Sequence, residues 1–70
     1  MPEILAPITG NVWEVLAAVG DAVSEGDVLA TLESMKLEIP VEAEVGGTVR
    51  EVRIAKGDAI AEDDVMFVLD

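Results

Sequence analysis

Residues 6–33 read APITGNVWEVLAAVGDAVSEGDVLATLE, and residues 43–70 read AEVGGTVREVRIAKGDAIAEDDVMFVLD. The two align without a gap when the first is shifted by 37 positions, from 6 to 43. Gly10/Gly47, Val12/Val49, Val15/Val52, Gly20/Gly57, Asp21/Asp58, Glu25/Glu62, Asp27/Asp64, Val28/Val65 and Leu32/Leu69 are identical. Self-similarity at a fixed period means a repeated structural unit. Each unit opens on a glycine, continues with a Val-rich stretch, turns at Gly-Asp-Ala, turns again at SEGD or AEDD, and closes on VLATLE or VMFVLD. Short β-prone runs separated by turn signals predict an all-β sandwich or barrel. No stretch keeps a 3.6-residue apolar period, so no substantial helix is expected.

Seventy residues make one domain, spanning 1–70. Two copies within it predict a pseudo-two-fold, with the halves packed face to face around a shared core. The predicted core is Ile8, Val12, Val15, Val23, Val28 and Leu32 with Val45, Val49, Val52, Ile60, Val65 and Leu69. Cys and His are both absent, which removes disulfides, thiol chemistry and the usual zinc or haem ligands. Fifteen acids against four bases give a net charge of −11. Such a surface repels nucleic acid and anionic membrane surfaces. No apolar run is long enough to span a bilayer, and the N-terminus lacks the pattern of a secretory signal. A cytosolic location is the expectation.

Between the units lies a segment that the repeat does not explain. The hairpin expected over residues 31–41, TLESMKLEIPV, centres on Met35-Lys36. That register pairs Ser34 with Leu37, Glu33 with Glu38, Leu32 with Ile39 and Thr31 with Pro40. It puts Ala30, Leu32, Ile39 and Val41 on one face. It also leaves Pro40 at a non-hydrogen-bonded position, where its missing N–H costs nothing. Two features break the local rules. Two-residue turns want Asn-Gly or Asp-Gly, since both central residues need positive φ. Glu33 and Glu38 are like charges directly opposed. Local rules that fail at one point in an otherwise consistent chain mark function.

A lone lysine is ordinarily a solubility residue. Here it is one of only four bases, stands at a corner, and is flanked by apolar Met35 and Leu37. A lysine amine in water, with a pKa of about 10.4, is nearly all ammonium at neutral pH and is a poor catalyst without a dry pocket. Lys36 makes better sense as an acceptor of covalent modification that carries a group on a flexible arm.

Glu33-Ser34-Met35-Lys36-Leu37, set midway between glycine-containing repeats, resembles the biotinyl and lipoyl carrier domain family, and within it the small biotin carboxyl carrier proteins. Ala6, Pro7 and Gly10, Gly20-Asp21 and Gly46-Gly47-Thr48-Val49 fit the same pattern. The resemblance runs from about Ile4 to Leu69 and departs at Leu37, where the family has a second Met. It implies a flattened β-barrel or sandwich of two four-stranded sheets with quasi-two-fold symmetry, the barrel-sandwich hybrid. It implies biotin joined covalently to Lys36 by a biotin protein ligase. Met35 and Leu37 would flank the site for recognition, and Glu33 would be read by the ligase. The partners would be a biotin carboxylase, which loads carboxylate, and a carboxyltransferase, which passes it to an acceptor such as an acyl-CoA. The chain would then be a non-catalytic carrier. The inserted thumb of longer carriers has no counterpart in the gapless repeat.

Two alternatives stand beside this reading. Lipoyl carriers share the fold but usually have Asp-Lys-Ala at the corner, and some small members accept either cofactor. An unmodified β-module that only binds a partner is the other. Gly20, Gly47 and Gly57 are read as turn or close-approach residues, Lys56 as a solvated turn residue, and Trp13 as partly buried packing on the first sheet. Apart from Glu33, the acids are read as a solubility surface.

Overall fold

A computed structural model describes the whole chain, Met1 to Asp70, as eight strands and no helix. They are β1 (Glu3–Leu5), β2 (Gly10–Val15), β3 (Ala22–Val23), β4 (Val28–Ser34), β5 (Leu37–Glu42), β6 (Gly47–Val52), β7 (Ala59–Ile60) and β8 (Val65–Leu69). They form two antiparallel four-stranded sheets, ordered β1-β8-β6-β3 and β5-β4-β2-β7. Exchanging β1 with β5, β2 with β6, β3 with β7 and β4 with β8 turns one sheet order into the other, which is the two-fold that the repeat predicts.

The halves do not simply pack face to face. Each gives two long central strands to one sheet and lends a short edge strand to the other, so β3 pairs with β6 and β7 pairs with β2. The hydrogen bonds repeat with the same offset. Gly20 N–H donates to Val49 C=O at 2.8 Å, and Gly57 N–H to Val12 C=O at 2.8 Å. Ala6 N–H reaches Asp64 C=O at 2.8 Å, and Ala43 N–H reaches Asp27 C=O at 2.9 Å.

The turns are held by aspartates. Asp21 accepts the Ala18 N–H at 2.9 Å, and Asp58 accepts the Ala55 N–H at 2.8 Å. Asp27 accepts from Ser24 and Asp64 from Ala61, both at 2.8 Å. In each case the aspartate's own N–H donates back to the carbonyl of the same residue at 3.0 Å. These four acids are therefore local structural clamps rather than a mere solubility surface. Gly26 has φ +91°, and its counterpart Asp63 holds the same left-handed region at φ 72° without a glycine. Gly47 is a close-approach residue: a Cβ there would lie 2.9 Å from the Asp70 carbonyl oxygen.

The core lies between the sheets, with Phe67, Leu29, Leu32, Met66, Leu69 and Val49 as its largest fully buried side chains. Of the predicted core, Val12, Leu32, Val49, Ile60 and Leu69 are buried. Ile8, Val15, Val23 and Val52 pack against it half-buried, and Val65 is half-buried. Val28 and Val45 are exposed, contrary to expectation. A register shift between Val28 and Ala30 breaks the alternation, so Leu29 and Ala30 are buried in succession and Val28 is turned out. Val45 sits in the β5–β6 connection, outside any strand.

Candidate functional site

The β4–β5 hairpin has the register read from the sequence: Thr31/Pro40, Leu32/Ile39, Glu33/Glu38 and Ser34/Leu37 are paired. Ala30, Leu32 and Val41 are buried and Ile39 is half-buried, so the inward face anchors the hairpin in the core. The corner is the tight kind for which Met-Lys is ill-suited. Met35 has φ 52° and Lys36 has φ 67°, both in the left-handed region. This is the positive-φ pair that a two-residue turn demands, made here from side chains that resist it. Only strands anchored in the core on either side can hold such a corner.

The geometry displays Lys36 rather than sheltering it. Met35 is 91% exposed and Leu37 64% exposed, so two apolar side chains flank the amine in open solvent. The ion pairs of the chain are Arg50–Asp70 at 3.6 Å and Arg53–Glu51 at 3.0 Å, so Lys36 is tied to neither Glu33 nor Glu38. Glu33 and Glu38 stand opposite each other in the register, Glu33 half-buried and Glu38 exposed. Asn11 of β2 is paired with Glu33 on its other side. Gly10, next to Asn11, approaches this strand closely: a Cβ there would lie 2.6 Å from the Glu33 carbonyl oxygen. The surface groove of the molecule runs between β1 and β5, floored by Ile4, Leu5 and Val41, and does not include the tip. An exposed, unpaired primary amine outside any pocket suits a group held by an amide bond, and it does not suit Schiff-base or general-base catalysis. No cluster of His, Cys, Asp or Glu is arranged to hold a metal.

The family model described as biotin-requiring enzyme, the biotin/lipoyl model, matches residues 1–69. The chain belongs to the biotin/lipoyl family. A homologue of biotinylated protein TB7.3 from Mycobacterium leprae is 51% identical over 43 residues, 61% of each chain. A biotin/lipoyl attachment protein of Bacillus subtilis is 46% identical over 37 residues, 53% of this chain and 51% of that protein. The matched segment thus spans about three fifths or less of these relatives. Among solved structures, the urea carboxylase of Kluyveromyces lactis superposes with a TM-score of 0.92 at 33% identity, covering 99% of this chain and 6% of that one. A single-chain, multi-domain long-chain acyl-CoA carboxylase superposes with a TM-score of 0.88 at 26% identity, covering 94% of this chain and 7% of that one. This biotin/lipoyl-family domain therefore has the barrel-sandwich fold of small segments within carboxylases, and biotin is the group its relatives' names point to.

Proposed function

We propose that this chain is a non-catalytic biotin carboxyl carrier and that Lys36 is its attachment site. The observation that carries the reading is the left-handed Met35-Lys36 corner, which holds an unpaired amine in solvent between two exposed apolar side chains. The amide forms between Lys36 Nζ and the carboxyl of biotin activated as its adenylate. AMP leaves, and the amine's proton passes to a base of the biotin protein ligase. Once attached, biotin supplies a ureido nitrogen that accepts and gives up a carboxyl group. The chain's own contribution is positional. The anchored strands β4 and β5 keep the corner rigid, and Lys36 provides the base of the arm that moves between a biotin carboxylase and a carboxyltransferase. Met35 and Leu37 offer the apolar contact by which these enzymes recognise the corner, and Glu33 is read by the ligase. Likeness to parts of urea and acyl-CoA carboxylases supports a biotin-dependent carboxylase as the setting. The acceptor is selected by the carboxyltransferase rather than by the carrier.

Co-expression with a biotin protein ligase should add one biotin by intact mass, and Lys36→Ala should abolish the addition. Labelling that survives the substitution would refute the site. Lipoylation is the second reading, favoured by the Bacillus relative whose name covers both groups. Met35→Asp with Leu37→Ala should shift modification toward lipoate, and indifference of both ligases to that change would show that the flanking residues are not read.

A further inference from the structure

The two-fold supplies an internal control for the surface, because each outward position of one half has a counterpart on nearly the same backbone in the other. Trp13, Leu16 and Val19 are 47%, 51% and 64% exposed. Their counterparts at the repeat offset are Arg50, Arg53 and Lys56. The same three positions therefore carry every base of the chain except Lys36 in one half, and only apolar side chains in the other. The strands fix the geometry. Register shifts fall between Val12 and Glu14 and between Val49 and Glu51, so Trp13 and Arg50 each sit in a bulge. A bulge needs no tryptophan, as Arg50 shows, and the core does not account for this one.

The surroundings of Trp13 are predominantly acidic. Strands β2, β4, β5 and β7 carry Glu14, Glu33, Glu38 and Glu42 and no base, and Arg50 and Arg53 belong to β6 and its exit. Lys56 is the one base whose turn comes against β2, where Gly57 N–H donates to the Val12 carbonyl and Val12 N–H to the Asp58 carbonyl. In the register, Glu14 lies beside Thr31, and Thr31 lies beside Pro40. Thr31 alternates with buried Ala30 and Leu32, so it faces outward, yet its hydroxyl is buried and has no hydrogen-bond partner. The Thr31 hydroxyl, next to the bulge, is thus already shielded from solvent. Along the same face the strands lead to Glu33, Glu38 and the Lys36 corner.

We propose that this face, with Trp13 as its anchor and Leu16 at the exit of the same strand, is the docking surface for the enzyme that modifies Lys36. The partner chemistry it fits is a protein surface with an apolar pocket bordered by Lys and Arg. Tryptophan is a favoured interface anchor, and a rim of carboxylates steers a cationic partner into register. A second copy is a poor occupant, since each copy brings a charge of −11. An anionic membrane is repelled by the same charge. The inference rests on the carrier reading, with biotin protein ligase as the modifying enzyme.

The test is steady-state biotinylation with purified biotin protein ligase, the carrier concentration being varied. Trp13→Gln leaves the charge unchanged, and Trp13→Arg introduces the residue that the other bulge already accommodates. Each should raise the carrier KM by about ten-fold, the factor typical of losing an interface anchor, with kcat within about two-fold. Arg53→Ala, on the counterpart face, should leave KM unchanged. For the wild-type chain KM should rise with salt. Trp13 is the sole tryptophan, so a 5-fluorotryptophan-labelled Lys36→Ala chain gives one fluorine resonance, which should shift or broaden on adding ligase. Normal KM in both Trp13 variants, an equal rise in Arg53→Ala, or a resonance unmoved at ligase concentrations above KM overturns the proposal while the carrier reading stands. A dimer in sedimentation that Trp13→Arg abolishes assigns the face to a second copy and also overturns it. Failure of the wild-type chain to take biotin at all overturns the carrier reading and this proposal with it.

Discussion

Replacing the corner Met35-Lys36 by Asn-Gly should make the protein more stable while destroying the proposed attachment site. Both residues sit at positive φ, at 52° and 67°. A left-handed conformation costs an ordinary L-residue roughly 1–2 kcal/mol, and Asn and Gly bear it far better. Relief at two positions is offset by the extra unfolded-state freedom of glycine, about 0.5–1 kcal/mol. The net gain is about 1–2 kcal/mol. For a domain of this size each kcal/mol moves Tm by about 4–8 °C, so Tm should rise by roughly 4–16 °C. Thermal melts followed by circular dichroism, with urea titrations at constant m-value, measure it on unmodified protein. The single variants Met35→Asn and Lys36→Gly should each give part of the gain. A Tm that stays level or falls in the double variant would refute the idea that the corner holds strain in order to present Lys36.

Three further outcomes follow from the two-fold and the hairpin. Thr31 has Val68 as its counterpart, and its buried hydroxyl lacks a partner; Thr31→Val should therefore raise stability by about 1 kcal/mol in urea, because an unsatisfied buried hydroxyl is removed at nearly constant shape. Gly10→Ala drives a Cβ to 2.6 Å from the Glu33 carbonyl oxygen, against 2.9 Å to Asp70 for Gly47→Ala. Gly10→Ala should lose about 1–2 kcal/mol, and Gly47→Ala less, once the gain of about 0.4–1 kcal/mol from stiffening the unfolded chain is counted. Glu38→Lys converts an opposed pair of like charges into an attractive one, so Tm should rise by a few degrees at low salt, equivalent to about 0.5 kcal/mol, and the rise should vanish near 1 M salt.

The hairpin shows how far local pattern reaches. Its register follows from the period-2 alternation of Ala30, Leu32, Ile39 and Val41, because a one-residue slip would turn those side chains out of the core. The four turn aspartates were visible as invariant pairs of the repeat, but their role needed coordinates, since an acid in a turn and an acid on a solubility surface look alike in a sequence. Val28 illustrates the opposite limit. It is identical to its repeat partner and β-branched, yet a bulge turns it to solvent, and bulges leave no mark in the alternation until the pairing strand is known.

What the sequence by itself determined is the class of fold, the two-fold and the odd corner, since these rest on local periodicity and on comparison of the chain with itself. Only the tertiary structure decided that the halves interlock by lending edge strands to each other's sheets. It alone decided that Trp13, Leu16 and Val19 stand in solvent where Arg50, Arg53 and Lys56 stand in the other half. The physical reason is that strand partnership and exposure are properties of distant pairs. A Trp in a β-run is equally ready to fill a core or to wait for a partner, and only the backbone packed around it settles which.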